Sequence, residues 1–200
     1  DVTENLEKFE LGIAAQKVYD FIWEEFCDWY IEMVKPRLYG EAKETKTAAI
    51  YTLRTVLSSA LKLLHPYMPF ITEEIFSTLK EMEGRLSEDE SIMVSKWPEY
   101  KEEFNFAKEE EAVEIIKEAV KAIRNVRTEM NVPPSRKAKV IVVSDNEKVR
   151  EIFADSKVFF ATLGYASEIV IQSDKNGIDS DAVSVVTVVA TIYLPFADLV

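Results

Sequence analysis

The chain is poor in the residues that most enzymes and metal sites are built from. It holds one histidine, His65, in 200 residues. A single imidazole excludes a His-based catalytic triad and any multi-histidine metal centre. Its one cysteine, Cys27, cannot form an intrachain disulfide, and a lone thiol among helical aromatics suits a reducing compartment. Five glycines, none clustered, exclude a glycine-rich loop that cradles phosphate. No apolar run is long enough to span a bilayer, and no signal-peptide pattern opens the chain. Catalytic, cofactor-binding and metal-ligating residues are therefore expected to be none, no membrane partner is expected, and the compartment is expected to be cytoplasmic.

Positive charge is also scarce, with 24 Lys and Arg against 36 Asp and Glu, a net charge of −12. Such a balance opposes nucleic-acid binding if spread evenly. It is not. Residues 81–114 carry twelve acidic and four basic side chains, whereas residues 115–139 carry seven basic and two acidic. Screening over about 8 Å lets the local field decide what a surface attracts. The acidic triplets Glu88-Asp89-Glu90 and Glu109-Glu110-Glu111 read as solvated surface.

What is present is helical periodicity. Leu11, Ala14, Val18, Phe21, Ile22, Phe26, Trp29, Tyr30 and Met33 keep a three-four rhythm, so a helix is expected over about Glu10–Val34, ended by Pro36. A second helix is expected near Lys46–His65. A third follows the prolines Pro66 and Pro69, with Thr72 as N-cap, and runs to about Met82. An irregular acidic segment, Glu83–Lys108, is expected to be anchored by Trp97-Pro98. A fourth long helix, about Glu109–Met130, closes the helical half at Pro133-Pro134. After that the period changes. Ala138–Ser144, Glu168–Gln172 and Val183–Leu194 read as strands, Asp145–Leu163 as helix, and Leu194–Asp198 as a linker. The fold class is thus mainly α: an antiparallel helical bundle over residues 1–135, then a small α+β domain over residues 136–200.

Two combinations of aromatic and cation suit unpaired RNA, where bases stack and phosphates pair. One is Lys8 with Phe9 at the start of the first long helix. The other is Lys35, Arg37 and Tyr39 after it. On the fourth helix Lys117, Lys121 and Arg124 line up beside the apolar arc as a basic stripe, and Arg127 falls on the edge of that arc. A guanidinium so placed needs a partner, either an RNA phosphate or a neighbouring acidic residue. Trp29 and Tyr30 are expected in the core, and His65 at a helix end is expected to be structural.

Four stretches carry a resemblance. They are Phe21 through Tyr30 (Phe-Ile-Trp-Glu-Glu-Phe-Cys-Asp-Trp-Tyr), Lys35-Pro36-Arg37-Leu38, Leu63 through Ile75, and Ile123 through Pro134 (Ile-Arg-Asn-Val-Arg-Thr-Glu-Met-Asn-Val-Pro-Pro). In this order, over about residues 9–135, they are similar to the anticodon-binding region of class I aminoacyl-tRNA synthetases of the valine, isoleucine and leucine group. Cys-Asp-Trp-Tyr and Met-Asn-Val-Pro-Pro resemble the valine member most. The resemblance implies a bundle that receives the tRNA anticodon stem-loop, followed by a small junction domain. It also implies a partnership with a catalytic domain of the same polypeptide, which uses ATP and Mg²⁺ to attach the amino acid. The catalytic signature motifs are not in this sequence, and Asp1-Val2-Thr3 reads as mid-helix, so a piece of a longer chain is expected. The resemblance supplies the role and not the contacts; from the residues themselves, Lys8, Phe9, Lys35 and Arg37 are expected to approach the anticodon loop, and Lys117, Lys121, Arg124 and Arg127 are candidates for backbone contacts. The alternatives are the equivalent region of an isoleucine or leucine enzyme, or a helical protein-interaction domain without enzymatic role.

Overall fold

A computed structural model describes residues 1–82 and 91–200. The triplet Glu88-Asp89-Glu90 lies outside the described residues. The chain divides into two compact units, residues 1–102 and residues 103–200.

The first unit is helical. A short helix α1 (Val2–Glu7) leads into α2 (Leu11–Asp20), a π-helical run Phe21–Ile31, and α3 (Glu32–Tyr39). The last three follow one another without a break, since Phe21 and Ile31 at the joints keep helical dihedrals. The expected stop at Pro36 is not there: the proline sits inside α3, which continues to Tyr39. One missing N–H and one crowded carbonyl, about 3 kcal/mol in a free helix, do not end a helix whose Val34 is buried. The end comes at Gly40, where a Cβ would stand 2.8 Å from the Pro36 carbonyl oxygen.

Helix α4 (Lys43–Leu64) packs back on α2 and α3, and α5 (Pro69–Met82) packs on α4. Helix α5 starts earlier than expected, at Pro69, a residue suited to a first helical position because it has no N–H to satisfy. Thr72 is therefore not an N-cap. It lies inside the first turn, fully buried, and its hydroxyl donates to the Met68 carbonyl at 2.7 Å. With that proton committed, His65 Nδ1–H donates to Thr72 Oγ1 at 2.7 Å, which gives the only histidine a structural partner. Leu61, Phe76 and Ile92 form a core cluster flanked by Leu57 and Leu79. As expected, Trp97 anchors its segment: its indole N–H donates to Thr3 Oγ1 at 2.8 Å.

The second unit begins with α6 (Ala107–Glu129), followed by β1 (Ala138–Val143), α7 (Glu147–Asp155), α8 (Lys157–Leu163), β2 (Ala166–Gln172), β3 (Val183–Val186), β4 (Thr191–Leu194) and α9 (Phe196–Leu199). The sheet order is β2-β1-β4-β3, with β1 parallel to β2 and antiparallel to β4. Helix α6 belongs here, packing on β3, α7 and α8, and the observed division falls before it and not at residue 135. Three sequence readings need correction. The helical segment 145–163 breaks at Ser156. Val183–Leu194 is not one strand but a hairpin, because Thr187 turns the chain by making its bonds locally: its N–H and hydroxyl both donate to the Ala190 carbonyl. The tail is not a linker, since Leu199 is buried and Asp198 accepts the Lys139 backbone N–H at 2.8 Å.

Phe153 of α7 and Phe160 of α8 are fully buried with ring centroids 5.4 Å apart. Truncating Phe153 removes both its transfer energy and that contact. Phe153→Ala is expected to lower the stability of this unit by about 3–5 kcal/mol in urea titrations followed by circular dichroism.

Candidate nucleic-acid interface

The corner between α1 and α2 is made by a residue of the wrong shape for it. The Phe9 N–H donates to the Leu6 carbonyl at 3.0 Å and the Glu10 N–H to the Asn5 carbonyl at 2.8 Å. This is a Schellman helix ending with Phe9 at its left-handed position, φ 59°, where glycine is usual. A side chain there costs roughly 1–2 kcal/mol. The ring gains no burial in return, being 86% exposed. Strain held at an exposed aromatic points to a functional position. Lys8, next to it, pairs with Glu4 at 2.7 Å, and this hydrogen bond and charge hold the Glu4 carboxyl below its ordinary pKa. Both partners are exposed, so an incoming phosphate can compete for the ammonium.

The end of α3 supplies the second combination. Arg37 and Tyr39 are exposed, while Lys35 is half-buried and pairs with Glu32 at 2.5 Å. Tyr30, on the wide helical run, bonds Thr52 of α4. Burial raises its pKa above the ordinary value, more than that bond and the nearby Arg37 lower it. A raised phenol pKa stabilises the fold while the group is neutral. That contribution is complete below pH 10 and lost as pH rises through the folded-state value. The start of α4 adds Lys43 and Lys46, both exposed and without an ion pair among the described residues. The sequence carried a signal for them: residues 35–54 hold five Lys and Arg against two Glu.

The basic stripe on α6 does not survive intact. Lys117 is 3% exposed and its ammonium pairs with Glu114 at 2.6 Å. Arg127 is 4% exposed. Its partner is neither phosphate nor carboxylate: Nη2 donates to the carbonyls of Pro133 and Arg136 at 3.0 and 2.5 Å, and the guanidinium lies over the Tyr165 ring, 5.2 Å from its centroid. Burial lowers the Arg127 pKa, with the tyrosine acting the other way. Both residues are corrected from contact candidates to interior ones, because each is buried with its charged tip already bonded, Lys117 to Glu114 and Arg127 to the carbonyls of Pro133 and Arg136. Lys121 and Arg124 remain exposed, although Arg124 Nε already donates to the Leu163 carbonyl at 2.8 Å. Among the described residues, no three His, Cys, Asp or Glu side chains converge as metal ligands would, and no helix is long and apolar enough to cross a membrane.

The arrangement defines a helical bundle with cation-and-aromatic corners, joined to a small mixed sheet. The family model described as the anticodon-binding domain of tRNA ligase matches residues 1–142. The chain belongs to that family. Over all 200 residues it is 52% identical to a valine–tRNA ligase of Clostridium tetani, and 48% identical to those of Clostridium perfringens and Clostridium acetobutylicum. It spans 22% of the length of each of these relatives.

Two outcomes follow from the geometry of this unit. Phe9→Gly is expected to raise stability by roughly 0.5–1 kcal/mol, strain relief exceeding the added freedom of the unfolded chain, as read by the denaturation midpoint. Tyr30→Phe is expected to flatten the loss of stability above pH 10 in a pH series of thermal melts.

Proposed function

We propose that this chain is the part of a valine–tRNA ligase that holds the anticodon stem-loop of its tRNA. Another part of the same polypeptide would attach valine with ATP and Mg²⁺. The relatives' shared identity supports the valine enzyme over its isoleucine and leucine counterparts. The observation that carries the binding role is Phe9, solvent-exposed in a strained left-handed position beside a lysine whose ion pair with Glu4 is on the surface. The chemistry of ligation is not assigned to these residues. With one histidine and unclustered glycines they offer no donor set for a nucleotide and its metal.

The mechanism is recognition by position and stacking. RNA duplex shows side chains little sequence in its narrow major groove, so identity must be read on unpaired loop bases. Phe9 offers a ring face to one such base, and Lys8 stands within reach of the phosphate beside it. Arg37, Lys43 and Lys46 offer further phosphate contacts, and Tyr39 a second exposed ring. Phosphate contacts fix register, and base contacts confer choice. An acidic chain can do this where its cations stand at exposed helix ends and locally outnumber carboxylates, as over residues 35–54, with five Lys and Arg against two Glu.

Fluorescence polarisation with anticodon stem-loops of valine, isoleucine and an unrelated tRNA, at two salt concentrations, tests the reading. The valine loop should bind tightest and every affinity should fall with salt. Phe9→Ala should reduce the preference for the valine loop, by about 1–3 kcal/mol if one base stacks there. Equal binding of all three loops, or none, would overturn it.

A further inference from the structure

The segment after α6 is built more rigidly than a connection needs to be. Helix α6 ends in a second Schellman arrangement: the Asn131 N–H donates to the Thr128 carbonyl at 3.0 Å and the Val132 N–H to the Arg127 carbonyl at 2.8 Å, with Asn131 left-handed at φ 54°. Val132 is buried. A β-turn follows at once. The Arg136 N–H donates to the Pro133 carbonyl at 3.0 Å, and Pro134 occupies the second turn position, where a fixed φ is favoured. The Arg127 guanidinium then grips the turn from beneath, binding the carbonyls of its first and last residues. Tyr165 covers the other side of that guanidinium, and Nη1 is buried without a hydrogen-bond partner. A buried cation with one nitrogen unsatisfied is an expensive way to hold a loop.

What the turn holds out is charge. Ser135, Arg136 and Lys137 are exposed. From Met130 to Lys139 there are three basic residues and no acidic one, in a chain of net charge −12. Two carboxylates bond at the start of β1, both to Lys139: Glu168 pairs with its ammonium at 3.3 Å and Asp198 accepts its backbone N–H. Arg136 and Lys137 have no ion pair among the described residues. Two cations on a preorganised turn lose little freedom on binding, which is the property a phosphate contact rewards.

We propose that the Pro133–Lys137 turn is a contact element for the tRNA sugar-phosphate backbone, with Arg136 and Lys137 as the contacting cations and Arg127 as the residue that positions them. The inference rests on the tRNA-binding reading above. Arg127 acts through the two carbonyls it binds and touches no nucleotide. Lysine cannot replace it, because a single ammonium on a flexible stem does not reproduce the planar fork that spans both.

The test is a salt series of the 200-residue chain binding a valine tRNA transcript. Substituting Arg136→Gln and Lys137→Gln together should leave the melting temperature unchanged and reduce the slope of log affinity against log salt by about 1.4–1.8, the contribution of two phosphates. Arg127→Lys should lower that slope although no contacting charge is removed, and adding the Gln pair to it should change the slope little further. A purely structural Arg127 would lower the melting temperature and leave the slope as it was. Binding by the unaltered chain with a slope indifferent to the Gln pair would overturn this inference alone. No binding by the unaltered chain would overturn the tRNA reading, and this inference with it.

Discussion

Among the described residues three helices end on a residue in the left-handed region, and none of the three is glycine: Phe9, Asn131 and Tyr165, at φ 59°, 54° and 54°. Each ending stores strain that glycine would release, and each puts a side chain where glycine would put none. The placements differ in what they achieve. Phe9 sends a ring into solvent. Tyr165 lays its ring against the buried Arg127 guanidinium, and its carbonyl accepts the first backbone bond of β1, from Ala138 N–H at 3.2 Å. Asn131 turns the chain so that Val132 is buried and the prolines begin. The organisation of both units follows from these corners, because they decide which residues the ends of α1, α6 and α8 present.

Charge is sorted by the same geometry. Long basic side chains on a helix need not be outward-facing merely because they are basic, since an aliphatic stem packs well and only the tip needs a partner. Lys117 and Arg127 show two solutions. The lysine reaches a surface carboxylate from a buried stem, while the arginine uses backbone carbonyls that its own helix end makes available. The second arrangement is specific to arginine. Five donors in a fixed plane can address two carbonyls of one turn and still present a face to an aromatic ring.

Much of the fold was legible from the sequence. The apolar rhythm of residues 11–33 marks a long helix whatever its hydrogen-bond pattern, because burial of Ala14, Val18, Phe26 and Trp29 depends on side-chain spacing more than on which carbonyl each N–H meets. Periodicity could not show that Pro36 would be tolerated, since that depends on packing around α3. Nor could it divide Val183–Leu194, whose valines continue the strand composition through the turn; only the pairing of Thr187 with Ala190 separates β3 from β4. The candidate site was legible where exposure follows from position at a helix corner, as for Phe9. It was not legible on α6, where one helical wheel cannot reveal that Lys117 is buried and paired with Glu114, or that the Arg127 guanidinium is held by the carbonyls of Pro133 and Arg136.

A chain with a surplus of twelve negative charges can serve a polyanion only by restricting where its cations stand. At physiological salt a carboxylate more than about 8 Å away has little influence on a phosphate contact, so what matters is whether acidic residues intrude among the basic ones. The residues from Met130 to Lys139 meet that condition; those around Lys43 and Lys46, where Glu41 and Glu44 intervene, meet it only in part, and residues 102–114 do not. Repulsion from the remaining surface then acts as a filter. It weakens encounters in any orientation that brings phosphate against an acidic face, and leaves the productive orientation disfavoured least. Acidity of the whole and affinity of a part are compatible on these terms, and in the proposed tRNA-binding role the surplus carboxylates would contribute to selectivity by what they exclude.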